Sequence, residues 1–152
     1  MILSIAAVVL VAPAPSQSPL EVTSRIMVEQ QVASPDGTSS KVLVAPKKVV
    51  PGDRVTFVLA YRNTGTQPIA DLVLADPLPR DIAYRAAGAD SPPPELSVDG
   101  QTFGTLAALR VRVPGAAERP ATLDDISTVR WRLTRPVPAG GHGQLSFHGI
   151  VK

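Results

Sequence analysis

The chain has 152 residues, 44% of them hydrophobic and only 4% aromatic, with 16 prolines, 11 glycines, no cysteine and a net charge of +2. That length suits one domain and excludes two ordinary ones. The lack of cysteine excludes a disulfide framework and thiol chemistry. So weak a net charge does not favour nucleic-acid binding, and the frequent Pro and Gly exclude a helical bundle in favour of short strands joined by turns.

The opening segment "MILSIAAVVLVAPAPSQSP" holds an uncharged apolar run, Ile2 to Ala12, interrupted by Ser4 alone. It is far shorter than the roughly 20 residues of a membrane-spanning helix. Residues 1–19 read as a secretory signal peptide, cleaved between Ala12 and Leu20. If it is retained, "AVVLV" at 7–11 also suits a strand. The remaining 20–152 form one domain.

"LEVTSRIMVEQQV" places Val22, Ile26 and Val28 on one side and Thr23, Arg25 and Glu29 on the other, which predicts a strand over 20–32. "SPDGTSS" (34–40) is a turn, and "KVLVAP" (41–46) a short strand stopped by proline. In Pro51-Gly52-Asp53 the proline presets φ and the glycine takes a positive one. The clearest strand follows, with Val55, Phe57, Leu59 and Tyr61 along one face. After Asn63-Thr64-Gly65, alternation resumes over 69–74 with Ala70, Leu72 and Leu74 inward, until "DPLP" (76–79) ends it.

"IAYRAAG" (82–88) is the next strand, and "ADSPPPE" (89–95) a stiff exposed loop. "LSVDGQTF" (96–103) predicts a hairpin with a tight Asp99-Gly100 turn. In "TLAALRVRVP" (105–114) the first half is compatible with helix and the second alternates; 115–127 reads as loop. Val129, Trp131 and Leu133 line one face of the following strand, and "QLSFHGIVK" closes the chain after the Gly-rich turn 138–143. About seven to nine half-buried strands separated by Gly/Pro turns predict an all-β fold of two antiparallel sheets packed face to face.

From Pro46 to Val151 the pattern resembles the DUF11 family, the conserved repeat domain of bacterial and archaeal exported and surface proteins. The residues that carry the likeness are "VVPGDRVTFVLAYRNTGTQPIADLVLADPLPRDIAY", with "LSVDGQTFG", Trp131 with Leu133, and "PAGGHGQLSFHGIVK" further on. The resemblance implies an immunoglobulin-like β-sandwich and a place among envelope and surface proteins. On physical grounds the same residues read as scaffold. Gly65 permits a turn costly for other residues, Asn63 and Asp76 hydrogen-bond to backbone at strand ends, and Leu78 caps the open end.

No constellation of reactive side chains stands out. His142 and His148 are the only histidines, too few for a zinc site without cysteine, and no serine sits in a nucleophile elbow. The expectation is therefore no enzyme, no cofactor and no metal. Arg110, Arg112, Arg130 and Arg132 alternate on two predicted strands; if those strands are neighbours, four guanidinium groups share one face able to grip an acidic glycan or other anion.

The leading reading is a non-catalytic exported module, in the periplasm, on the cell surface or outside, whose partners are other envelope or surface proteins or further copies of itself. It has no stable membrane span and binds no nucleic acid. Two alternatives stay open: a filament subunit assembled by strand addition, with 20–32 or 5–11 as donor, and a carbohydrate- or peptide-binding module using loop 89–95 and turn 137–143.

Overall fold

Residues 18–152 are described by the structure, a computed structural model. The apolar run at 5–11 and nearly all of the signal-peptide segment lie outside the described residues. Ten strands follow in chain order: β1 Leu20–Ala33, β2 Ser39–Val44, β3 Arg54–Asn63, β4 Val73–Pro77, β5 Ile82–Ala87, β6 Glu95–Ser97, β7 Arg110–Val111, β8 Arg119–Pro120, β9 Thr128–Arg132 and β10 His142–Val151. Single 3-10 turns occur at Leu106–Ala108 and Leu123–Asp125.

The strands form an antiparallel five-stranded sheet, ordered β2-β1-β3-β10-β5, and a three-stranded sheet, β4-β9-β6, with β7 and β8 as a small separate ribbon. The core lies between the two sheets. Val55, Phe57 and Leu59 of β3 and Leu145 and Phe147 of β10 meet Leu74 of β4, Leu96 of β6 and Val129 and Trp131 of β9. Phe57 and Phe147 stack with centroids 4.6 Å apart, and Trp131 from the opposite sheet packs on Phe147 at 6.1 Å. Such aromatic pairs contribute about 0.5–1.5 kcal/mol each beyond their buried area. The all-β sandwich expected from the alternation is thus present, with both predicted apolar rows facing inward. Leu133, half-buried, lies just past the end of β9.

Asn63 fastens one end of the sandwich. It is fully buried; its amide nitrogen donates to the carbonyls of Gln67 (2.8 Å), Val137 (3.0 Å) and Pro138 (3.1 Å), while its oxygen accepts from the Gly65 amide at 2.9 Å. One side chain therefore ties the 63–67 turn to turn 137–141. Gly65 has a different role from the one expected. Its φ is not positive, but an added Cβ would collide with Pro19 at 2.7 Å, so close approach is the constraint. Gly52, with φ +95°, does supply the turn before β3.

Several local expectations change. Alternation over 69–74 breaks at Asp71, the only non-glycine residue among those described with a positive φ, at 51°. Ile69 therefore makes only an isolated bridge to Val137, Ala70 is exposed, and β4 starts at Val73 and runs through Pro77. Pro77 is tolerated because β4 is an edge strand. The tight Asp99-Gly100 hairpin is instead a wider loop closed by the Leu96–Gly104 bridge; the Asp99 carboxylate accepts from the amides of Gln101 and Thr102 at 2.8 and 2.7 Å. Loop 89–95, expected to be stiff, is also anchored to both sheets: Trp131 Nε1 donates to the Pro92 carbonyl at 2.9 Å, and Ser91 Oγ accepts from the Ser146 amide at 2.7 Å.

Asn63→Ala is expected to lower the unfolding free energy by about 2 kcal/mol, because the Gln67, Val137 and Pro138 carbonyls lose the amide that ties them together and a fully buried side chain is truncated. Asn63→Asp is expected to cost more, since a carboxylate cannot donate to those carbonyls and its charge would be buried among them. Urea denaturation of the three proteins side by side measures both effects.

Candidate functional site

The two arginine pairs do not share a sheet. Arg110 opens β7 and Arg112 follows it, and β7 pairs with β8, whereas Arg130 and Arg132 lie on β9 between β4 and β6. The second pair converges on one carboxylate: Arg130 reaches Glu95 at 2.6 Å and Arg132 reaches it at 3.4 Å. Arg130 also lies over the Phe103 ring, 3.8 Å from its centroid. Arg112 pairs with Glu118 at 2.5 Å, and Arg110 donates to the carbonyls of Ala107 and Leu109. Arg130 and Arg132 thus share one carboxylate and Arg112 has another, so the four guanidinium groups meet two carboxylates and stand on two separate sheets rather than on one face.

The stiff loop 89–95 and the turn 137–143 do come together. Pro92, Val137, Pro138 and His142 line one recess of about 540 Å³ at the Asn63 end of the sandwich, with Tyr61 and Arg135 beside them. Tyr61 sits at the end of the inward-facing β3 row, opposite Gly143, where any Cβ would run into its ring. The glycine therefore makes room for the tyrosine. Sequence reading placed Tyr61 with the core; its position at the end of that row, beside Arg62 and Asn63, was the only signal for an additional role.

The third feature is a mismatch between the sheets. Val22, Ser24, Ile26 and Val28 pair with Tyr61, Leu59, Phe57 and Val55 and so face the same way as the core row of β3. The three-stranded sheet does not extend over them. Val22 is 43% and Ile26 38% exposed, although both occupy inward positions. β1 continues past Val28, where its pairing with β3 ends, and forms a two-stranded extension with β2 that carries Val32 and Val42 on the same uncovered face. Opposite, β4 pairs only with β9 and leaves its other edge unpaired among the described residues. Hence the sandwich is open along one flank, between β1 and the free edge of β4.

Segment 20–32, considered above as a donor strand, is internal to this arrangement: it is β1, held between β2 and β3. Asp76 was expected to bond backbone at a strand end. Its carboxylate instead accepts from Ser24 Oγ at 2.8 Å, linking β4 to β1 across the gap between the sheets. Burial pushes this carboxyl above the ordinary aspartate range, partly offset by the Ser24 hydrogen bond. Asp99 is the opposite case, lowered to about 2 chiefly by the backbone amides of Thr102 and Gln101. Asp125 is held well below the usual carboxylate range, first by Arg119 and also by the amide and hydroxyl of Thr122.

His142 is exposed, and His148 is half-buried with its Nδ1 3.0 Å from Thr56 Oγ1. Among the described residues no group of three or more His, Cys, Asp or Glu side chains could hold a metal ion, and no helix is long and apolar enough to cross a membrane. Comparison with known protein families, with characterised proteins and with solved structures finds no match to this chain.

The opposite shifts have opposite consequences for stability. Asp99 and Asp125, lowered in the folded state, stabilise it above the unfolded aspartate value of about 4, and that contribution is lost as pH falls through their folded values. Asp76, raised in the folded state, works the other way. From about pH 4 upward the unfolded chain releases this proton first, and stability declines until the raised folded value is passed. Asp76→Asn removes that decline, so its stability relative to the parent protein is expected to improve as pH rises from about 4 towards neutrality. Urea midpoints across that range test the sign.

Proposed function

We propose that the chain is a non-catalytic, exported module of the cell envelope or surface, and that it works by taking up an extended, alternately apolar segment of a neighbouring envelope protein along its open flank. The observation that carries this reading is the exposure of Val22 and Ile26 at inward positions of β1 beside the free edge of β4. A strand laid on that edge would complete the backbone ladder of β4 and cover both side chains. Full burial of one such side chain contributes about 1.5–3 kcal/mol, and part of that remains available here. Main-chain bonds then supply affinity, and alternate side chains supply selectivity. The apolar leader-like segment at 1–19 and the DUF11-like residues from Pro46 to Val151 support export and an envelope setting, the latter by analogy of fold. A filament made by strand addition is the special case in which the neighbour is a second copy.

The full chain extracted from its native cells without denaturant is expected to run above monomer mass by light scattering. Val22→Asp with Ile26→Asp is expected to return it to monomer mass while urea unfolding remains a single cooperative transition, which shows that the fold is kept. A monomeric mass for the unaltered protein would overturn the proposal.

The recess at the turn end supports a second reading, recognition of a saccharide or short peptide, because it joins the half-buried Tyr61 ring and Arg135 to Pro92 and His142 of the two loops the sequence singled out. Calorimetric titration with peptidoglycan fragments is the check. Binding is expected to be lost in Tyr61→Ala and kept in Val22→Asp, and absence of heat with the parent protein would refute it.

A further inference from the structure

The outer face of the five-stranded sheet, opposite the open flank, carries a second feature. At the end of the sheet where β3 begins, a recess of about 390 Å³ is lined by side chains from all five of its strands: Lys41 of β2, Glu29 of β1, Arg54 and Thr56 of β3, His148 of β10 and Arg85 of β5. Arg85 is there because of an irregularity. His148 pairs with Ala86 and Gly149 with Tyr84, so Arg85 is the extra residue of a β-bulge. Bulges re-aim side chains and are common beside functional sites.

We infer that this recess binds a small tetrahedral oxyanion, a sulfate or phosphate group. Lys41, Arg54 and Arg85 contribute three positive charges, opposed by Glu29 in the lining and by Asp124 beside Arg85, which leaves the recess net positive. Arg54 has no carboxylate within 4.0 Å among the described residues, so its guanidinium is free to bind. The other two cations have partners near the rim: Lys41 reaches Glu29 at 3.2 Å and Arg85 reaches Asp124 at 2.7 Å. In each pair one side chain, Lys41 or Asp124, is 66% exposed, and solvent screening keeps such pairs weak. Each cation also retains further N–H donors for a ligand.

Thr56 is almost fully buried, and its hydroxyl lies 3.0 Å from His148 Nδ1, giving the floor a fixed polar pair that can donate to an oxygen above it. Donors that converge from several strands suit an anion with acceptor oxygens pointing in several directions. A planar carboxylate is satisfied by one arginine fork. The site lies on the face away from Val22 and Ile26, so it is separate from the proposed docking flank.

Amide chemical shifts of the 15N-labelled full chain, followed while sodium sulfate, phosphate or acetate is added at constant ionic strength, test this. Saturable movement of the Thr56, Arg85 and His148 amides with sulfate or phosphate is expected, and at least tenfold weaker saturation in Arg54→Gln with Arg85→Gln. Glu29→Gln removes the opposing charge and is expected to tighten binding a few-fold, a change that a merely structural role for Glu29 would not produce. A sulfated disaccharide and glycerol phosphate, titrated in the same way, tell a glycan source from a headgroup source. Linear shifts that never saturate, acetate binding as tightly as sulfate and phosphate, or an unaltered curve in the double arginine variant would each overturn the inference.

Discussion

The contact of Trp131 on Phe147 holds the two sheets in register, and the rest of the molecule is arranged around it. Without a cysteine, cohesion between sheets rests on packing and on a few hydrogen bonds that cross the interior. Phe147 is fully buried and lies against Phe57, Tyr84 and Trp131, so it draws β3, β5 and β9 together. Trp131 also secures the polyproline loop, since the cost of burying its indole N–H is met by the Pro92 carbonyl. A chain with so few aromatic residues has concentrated them where the sheets meet.

That central contact also explains why the flank is open. The small sheet is centred on β9, with β4 and β6 on either side, and three strands cannot roof a five-stranded sheet. On the β5 side the deficit is covered by chain: Ile126, Leu109 and Ala121 are buried, and Arg85 bridges to Asp124 in the second 3-10 turn. On the β1 side no comparable segment is present among the described residues. Among the described residues the only polar tie across that side is the Ser24–Asp76 hydrogen bond, and it keeps a carboxyl group where desolvation disfavours its charge. An apolar neighbour laid over this flank would find few competing interactions to displace.

The β-rich character and the inward rows were legible because period-2 alternation is a direct record of burial, clearest in Val55/Phe57/Leu59 and Val129/Trp131. Turn chemistry read well where one residue carries it, as at Gly52 and Asn63. It read poorly where the constraint was remote. The reason for Gly65 is Pro19, forty-six positions away, and the partner of Asp76 is Ser24, on another strand. The arginine face failed for the same reason: two alternating segments say nothing about whether they are neighbours, and here β7 turned to β8. Val22 and Ile26 alternate as core residues do, so no local pattern could reveal that the opposite sheet stops short of them. The anion recess was invisible too, because it is assembled from five strands and a bulge.

The two faces of β1 serve the two proposed features. Its inner positions form the floor of the open flank, and its extension with β2 carries Lys41 and Glu29 at the rim of the outer recess. The extension lacks the pairing with β3 that holds Leu20–Val28, so β1 with β2 alone sets where Lys41 stands. A two-stranded ribbon has little stability by itself. A segment packed under Val32 and Val42 would therefore fix the ribbon and, through it, the position of one cation of the recess. Because such coupling is reciprocal in free energy, an anion that holds Lys41 in place would also favour the flank conformation that receives the segment. The physical link is the ribbon itself, so shortening its turn at 34–38 should weaken the coupling while leaving the sandwich core intact.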